Sequence, residues 1–426
     1  MELKPGYKQT EVGVIPEDWE ALPLGELFSA TQLGGNYQNS EQVTAWPLIK
    51  MGNLGRGSIK LDKREYVTAG TPPSARDRLH HGDVLFNTRN TIDLVGKVAI
   101  WRGELPEAYF NSNIMRLKFD AQKVSSNMFM NFILNTPRSL SALRGIAIGT
   151  TSVAAIYNRD LVSVQVPVPT LAEQEAIAEA LSDADALIDS LEQLIAKKRL
   201  LKQGAMQDLL TGKKRLPGFE VKWVVKRLSE LGRCYRGVSY NPAADLSPHE
   251  TDSTVRLLRS NNVQESQLDF DDMQFVTEGR VSPDQYLRQN DILICMANGS
   301  RRLVGKAAQC PKLADKAYTF GAFMGCFRPD PAAADEQFVS GIFYTENYRR
   351  HIDLLLAGSS INNLSPGNVE SLEIPVPAQK SEQTAIAAIL SDMDAEIAAL
   401  EAKLSKARQV KQGMMQELLT GKTRLV

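Results

Sequence analysis

Two stretches of the chain carry apolar residues that step by four and three. Ile177, Leu181, Ala184, Ile188, Leu191 and Ile195 form one series, and Ile386, Leu390, Met393, Ile397, Leu400 and Leu404 form the other. This spacing predicts two long helices with a coiled-coil seam. A helix of about 38 residues, rising 1.5 Å per residue, makes a rod of roughly 57 Å. Before each helix stands an extended segment, Val166 to Pro169 and Ile374 to Pro377, in which proline withholds a hydrogen-bond donor and disfavours helix in the residue before it. The remaining chain shows shorter apolar runs punctuated by turns, the pattern of mixed α/β domains. Asp83 to Phe86 and Asp291 to Ile294 are predicted as buried strands.

The two helical stretches are copies of each other. Glu173 to Leu216 and Glu382 to Leu425 are identical at 27 of 44 aligned positions. Shorter matches lie between them. Trp19 with Leu24 to Leu27 recurs as Trp223 with Leu228 to Leu231, Gly82 to Leu85 as Asn290 to Leu293, Leu94 to Lys97 as Leu303 to Lys306, and Gly149 to Thr151 as Gly358 to Ser360. The chain therefore reads as globular domain, long helix, globular domain, long helix. Close identity in the helices beside a mere skeleton in the domains suggests one shared docking role and two different recognition roles.

Charge orients the helices. Glu173, Glu175, Glu179, Asp183, Asp185, Asp189 and Glu192 come early in the first, and Lys197, Lys198, Arg199, Lys202, Lys213, Lys214 and Arg215 come late. The second repeats the trend, so antiparallel pairing sets each acidic end beside a basic one. The same polarity also complements each helix dipole. The expected fold class is α+β: two mixed α/β domains separated by two long antiparallel coiled-coil helices in a pseudo-twofold internal repeat. The expected boundaries are 1–165 and 217–372 for the domains, and 170–216 and 379–426 for the helices.

Composition is that of a folded protein, 43% hydrophobic and 23% charged. No stretch approaches the roughly 20 apolar residues that span a bilayer, and residues 1–10 do not resemble a secretory signal. A cytoplasmic protein without a membrane partner is expected. Cys234, Cys295, Cys310 and Cys326 show no paired-ligand spacing, so reduced buried thiols are expected rather than a metal.

Polar loops follow the predicted strands at matching places. Asn87, Thr88, Arg89 and Asn90 lead to Lys97, while Asn298, Ser300, Arg301 and Arg302 lead to Lys306. Arginine and asparagine can bind guanine and adenine edges in bidentate fashion, and Ser, Thr and Lys suit phosphates. Further candidates are Asn111, Asn113 and Arg116; Thr150 and Thr151 with Ser359, Ser360, Asn362 and Asn363; and Lys50, Asn53 and Arg56 with Arg259, Asn261 and Asn262. Each such loop could equally be an ordinary solvated surface. The formal net charge of -1 opposes a naked electrostatic DNA binder, an objection that weakens if only the local potential at the groove is positive.

Catalytic signatures are wanting. Gly421 to Thr423 resembles the end of a phosphate loop, but Gln416 occupies the place of its glycine. Asn241 to Ala244 only faintly resembles the motif that holds a flipped adenine. No catalytic residue is assigned.

Two variable domains, each entered through a Trp-x4-Leu-x-Glu-Leu segment, and helices that open after Pro-Val-Pro with Glu-Gln and close on Leu-Leu-Thr-Gly-Lys resemble the specificity subunits of type I restriction-modification enzymes. The resemblance covers nearly the whole chain. It implies two target-recognition domains, each reading half of a bipartite double-stranded DNA site. It also implies two methylation subunits that use S-adenosylmethionine and two restriction subunits that use ATP and Mg2+, with no cofactor in this chain. The alternatives are a single-chain DNA methyltransferase or endonuclease, and a coiled-coil scaffold that binds no nucleic acid.

Overall fold

The computed structural model describes residues 5–70, 72–150, 152–264, 266–313, 316–358 and 361–425. They form two compact units, Met1–Glu192 with Ala402–Val426, and Gln193–Glu401. The long helices, Leu171–Leu209 and Lys380–Leu418, are each 39 residues. Each unit thus holds the first part of one helix and the last part of the other.

Within each unit the helical parts run antiparallel. In the first, Arg408 pairs with Glu192 at 2.6 Å, and Lys411 pairs with Asp185. In the second, Arg199 pairs with Glu401 at 2.7 Å, and Lys202 pairs with Asp394. These are repeat-equivalent pairs, so the charge polarity read in the sequence is realised contact by contact. Of the seam residues, Ile177, Leu181, Leu191, Ile195, Ile386, Leu390 and Ile397 are buried, Ile177 and Leu181 within the core of the first unit and Ile386 and Leu390 within that of the second. Ala184, Ile188, Met393, Leu400 and Leu404 are half-buried.

Both helices stop short of the expected 216 and 426. Gly212 and Gly421 adopt φ of 71° and 69°, left-handed values that end a helix cheaply only at glycine. The amides of Lys214 and Lys422 then turn back to the carbonyls of Asp208 and Glu417, at 3.0 and 2.9 Å. Added bulk at Gly212 would strike the Trp223 ring at 3.0 Å.

The globular parts of the two units share one topology. In the first, an antiparallel sheet orders Val98–Ile100, Val84–Asn87, Ile114–Phe119 and Phe28–Leu33. The second matches it with Ala307–Gln309, Ile292–Cys295, Met324–Pro329 and Gly232–Arg236. As predicted, the strands Val84–Asn87 and Ile292–Cys295 are buried throughout. A second four-stranded sheet in each unit contains one parallel pair, Tyr109–Phe110 with Pro47–Ile49 and Tyr318–Phe320 with Thr254–Leu258. The Pro-punctuated strands Gln165–Val168 and Glu373–Val376 pair antiparallel with Glu20–Pro23 and Val224–Arg227. This pairing brings the start and end of each globular part together at the head of a helix.

Glutamate and glutamine at each helix head do distinct work. Gln174 donates to the carbonyls of Lys123 and Pro169 and accepts from the Ser125 amide, at 3.0 to 3.1 Å. Gln383 likewise donates to Pro377 and accepts from Asp335. The glutamates face the other way, toward tryptophan and the end of the opposite helix. Trp19 Nε1 donates to Glu173 at 2.7 Å, and Trp223 Nε1 donates to Glu382 at 3.1 Å. The four cysteines are buried, and burial pushes the Cys234 and Cys310 thiols up to about 12.

Candidate nucleic-acid interface

A scaffold repeated in both units closes one end of each main sheet. After Val84–Asn87 the chain loops out and returns through Leu94 to Lys97, where the Asn87 amide donates to the Lys97 carbonyl at 2.8 Å and the Gly96 amide to the Asn87 carbonyl at 2.9 Å. Cys295, Lys306 and Gly305 repeat both bonds in the second unit, each at 2.8 Å. Gly96 and Gly305 hold φ of 74° and 83°, and a side chain at Gly305 would meet Ile352 at 2.9 Å. The repeated Val-Gly-Lys is therefore a clamp that fixes the root of a loop while leaving its tip free to vary.

Segments far apart in sequence meet at these tips. In the first unit Arg89–Asn90 pairs with Ala154–Ala155, which pairs with Ile148–Gly149. Two separately chosen candidate loops thus become one ribbon, with Thr150 exposed at its turn. In the second unit Ala297 forms a β-bridge with Asn363, and Asn362 donates its side-chain amide to the Gly299 carbonyl at 3.2 Å. Thr151, Ser359 and Ser360 lie outside the described residues.

Several side chains on these tips face solvent. Arg89 is exposed, and its guanidinium has no ion pair among the described residues. Asn90 is half-buried and accepts from the Thr91 amide, while Thr88 donates its hydroxyl to the Asn113 carbonyl. Ser300, Arg301 and Arg302 are exposed. Arg301 donates to the Asp353 carbonyl at 2.6 Å, whereas Arg302 has no ion pair among the described residues. Asn298 folds its oxygen onto the Ser300 amide at 3.0 Å, while Asn363, like Arg302, is exposed.

Positive charge gathers beside the first ribbon. The parallel bridge between Gly57 and Ala99 brings Arg56 and Lys60 to Lys97. Burial, reinforced by Arg56 and Lys60, holds the Lys97 ammonium below the usual lysine range. Burial followed by repulsion from Arg144 lowers Arg56 in the same sense. Only Asp93 offsets the cluster among the described residues, through its carbonyl to Arg56 at 3.2 Å and its carboxylate to Arg144 at 3.7 Å. Crowded cations of this kind gain most from an incoming anion such as phosphate. A near-neutral chain can therefore still present a basic face.

Four candidates turn out to be framework. Asn53 accepts from the Lys50 amide and donates to the carbonyls of Lys60 and Lys63, and Asn262 does the same for Arg259, Asp269 and Asp272. Both staple a turn and are buried. Asn87 is fully enclosed and accepts from the Arg89 amide. Arg116, 4% exposed, spends its guanidinium on Asp83 at 2.7 Å, Gln32 at 2.8 Å and the carbonyls of Arg78 and Arg76. Buried groups already bonded to the fold cannot reach a base edge. Lys50 is bound to Glu65 at 2.6 Å, and Arg259 and Asn261 both grip Asp272. Asn111 accepts from the Asn113 amide to close its own turn.

Lys60, Arg144 and Phe323 stand beside these candidates but were not legible as such in the sequence. The two cations lie outside every repeated motif and are joined to the others only by tertiary pairing. Phe323 could have been found by register, since it stands where Asn113 stands in the first unit: the Met296 and Ala297 amides donate to its carbonyl as Thr88 donates to that of Asn113.

A family model described as the type I restriction modification DNA specificity domain matches residues 16–198 and again 220–408. The chain belongs to that family. As a specificity subunit it selects sequence, and catalysis is not its part. A chain of Methanocaldococcus jannaschii described as the type I restriction enzyme MjaX specificity subunit is 25% identical over 446 aligned residues, spanning 98% of this chain and 97% of that one. The EcoKI specificity subunit of Escherichia coli is 31% identical over 205 residues, 47% of this chain and 42% of its own. Among solved structures, the type I restriction-modification S subunit from M. genitalium superposes with a TM-score of 0.57 at 14% identity, over 98% of both chains. A chain from a study of complex assembly in a type I restriction-modification system gives 0.56 at 16% identity, over 96% of this chain and 99% of that one. These structures share the fold. No helix among the described residues is long and apolar enough to cross a membrane.

Proposed function

We propose that each unit reads one half of a bipartite double-stranded DNA target. The first uses Arg89, Asn90 and Thr150 for the bases, with Arg56, Lys60, Lys97 and Arg144 toward the phosphates. The second uses Arg302, Arg301, Ser300, Asn362 and Asn363, with Lys306 at the root of the loop. The paired helices dock two methylation subunits, which supply S-adenosylmethionine chemistry. Two restriction subunits, driven by ATP with Mg2+, complete the assembly in the cytoplasm.

One observation carries this reading. Two copies of a single clamped strand end present tips of different composition, and in each copy a second, distant loop is pinned beside the first. A fold that repeats its scaffold and varies only its tips is built to recognise two different things in one way.

The test is a map of methylated sites in cells that carry the chain with its methylation subunits. An interrupted asymmetric target is expected, and substituting Asn363 and Arg302 by alanine together should relax one half of it while leaving the other unchanged. A variant that shifts both halves, or neither, contradicts the assignment.

A further inference from the structure

Phe323 is the only phenylalanine or tryptophan among the exposed large apolar side chains of the described residues, at 71% exposure. Its backbone is held firmly. It lies in a tight turn closed by the Met324 amide on the Gly321 carbonyl at 2.8 Å, between the buried Phe320 and Met324. Its own carbonyl accepts from the amides of Met296 and Ala297, at 2.9 and 3.1 Å. The ring is thus fixed at its root and bare at its end, beside the loop that carries Asn298 and, through the Ala297 bridge, Asn363.

The fold does not require an aromatic ring here. In the first unit the same turn, closed by the Ile114 amide on the Asn111 carbonyl at 3.0 Å, carries Asn113 at the equivalent place. A hydrocarbon ring has nothing to offer a phosphate. Within a DNA groove its favourable partner is an apolar group, and in the major groove that group is the C5-methyl of thymine. Asn363, pinned beside the same loop, suits the adenine edge of the same base pair.

We infer that Phe323 is a specificity-determining residue that packs on a thymine methyl group in the second half-site, an inference that rests on the half-site reading above. The first unit, with Asn113 in that place, lacks this apolar element at the equivalent position.

The test uses the full chain assembled with its methylation subunits and duplexes in which each thymine of the second half-site is replaced, one at a time, by deoxyuridine. At one position the wild-type complex should bind the methyl-free duplex about four-fold more weakly, the effect of one apolar methyl group. Phe323→Ala should bind the two duplexes alike, and Phe323→Leu should restore part of the difference. An unchanged melting temperature will show that the variants fold. The inference is overturned if no position responds to methyl removal, if the second half-site contains no A·T pair, or if Phe323→Ala weakens both duplexes equally, the signature of a wedge between bases or a contact to a methylation subunit. The half-site reading fails separately, if Phe323→Ala alters preference within the first half-site.

Discussion

Arg424 grips Glu173 with two nitrogens, at 2.6 and 2.8 Å, and Arg215 holds Glu382 in the same way at 2.7 and 2.8 Å. In each case the end of one long helix closes on the head of the other, and a tryptophan donates to the same carboxylate. Glu173 is fully buried and Glu382 is 1% exposed, so each depends on its arginine for compensation. Arg424 also reaches Asp18 and holds that carboxyl below its usual range.

Arg424→Ala leaves Glu173 buried with the indole as its chief remaining donor. We expect a loss of about 3 kcal/mol in urea unfolding, the cost of orphaning a buried charge. Adding Glu173→Gln should return part of that loss. Losses that simply add would show that the two residues act independently.

Arg89→Ala and Arg302→Ala should each weaken discrimination at one half-site by about 1 to 3 kcal/mol. Methylation assays on duplexes with single base changes in either half decide this. Equal loss on every sequence would assign both arginines to phosphate instead.

Lys97→Gln, within the cluster of Arg56, Lys60 and Arg144, should weaken binding to all sequences alike. The slope of log affinity against log salt should fall by about 1 if Lys97 meets a phosphate. Titrations at several salt concentrations measure it, and an unchanged slope would place the cluster away from DNA.

Arg116→Ala should act on stability instead of sequence choice. Its 4% exposure and its bond to Asp83 predict a cost of roughly 3 kcal/mol with both half-sites still recognised. A stable variant with altered specificity would restore Arg116 as a contact.

The helices were legible in the sequence because their information is local. A stripe at steps of four and three and a gradient of charge specify seam and direction without reference to anything else. The buried strands ending at Asn87 and Cys295 were legible for the same reason. Burial of polar groups was not, because it depends on what the chain folds against. Asn53 and Asn262 occupy matched loops and looked like contacts, yet their shared role is to staple a turn. Arg116 and Arg328 show the difficulty well. Each pairs with the aspartate at the repeat-equivalent position, half-buried Asp83 and buried Asp291, but from different places along the neighbouring strand. The basic cluster was hidden too, since Arg56 reaches Lys97 only through the bridge of Gly57 with Ala99.

The most direct test of one unit for one half-site uses residues 1–216. What the first unit takes from residues 402–425 is repeated in residues 193–216, with Arg199, Lys202 and Arg215 standing where Arg408, Lys411 and Arg424 stand. Two copies can therefore exchange helices, each Arg215 closing on the other's Glu173, to give a twofold dimer. Methylation-site sequencing of this fragment, assembled with methylation subunits and sized by light scattering, should reveal an interrupted palindrome built from one native half-site. Modification of the original asymmetric target, or a folded fragment that stays monomeric beside its methylation subunits, would contradict the account.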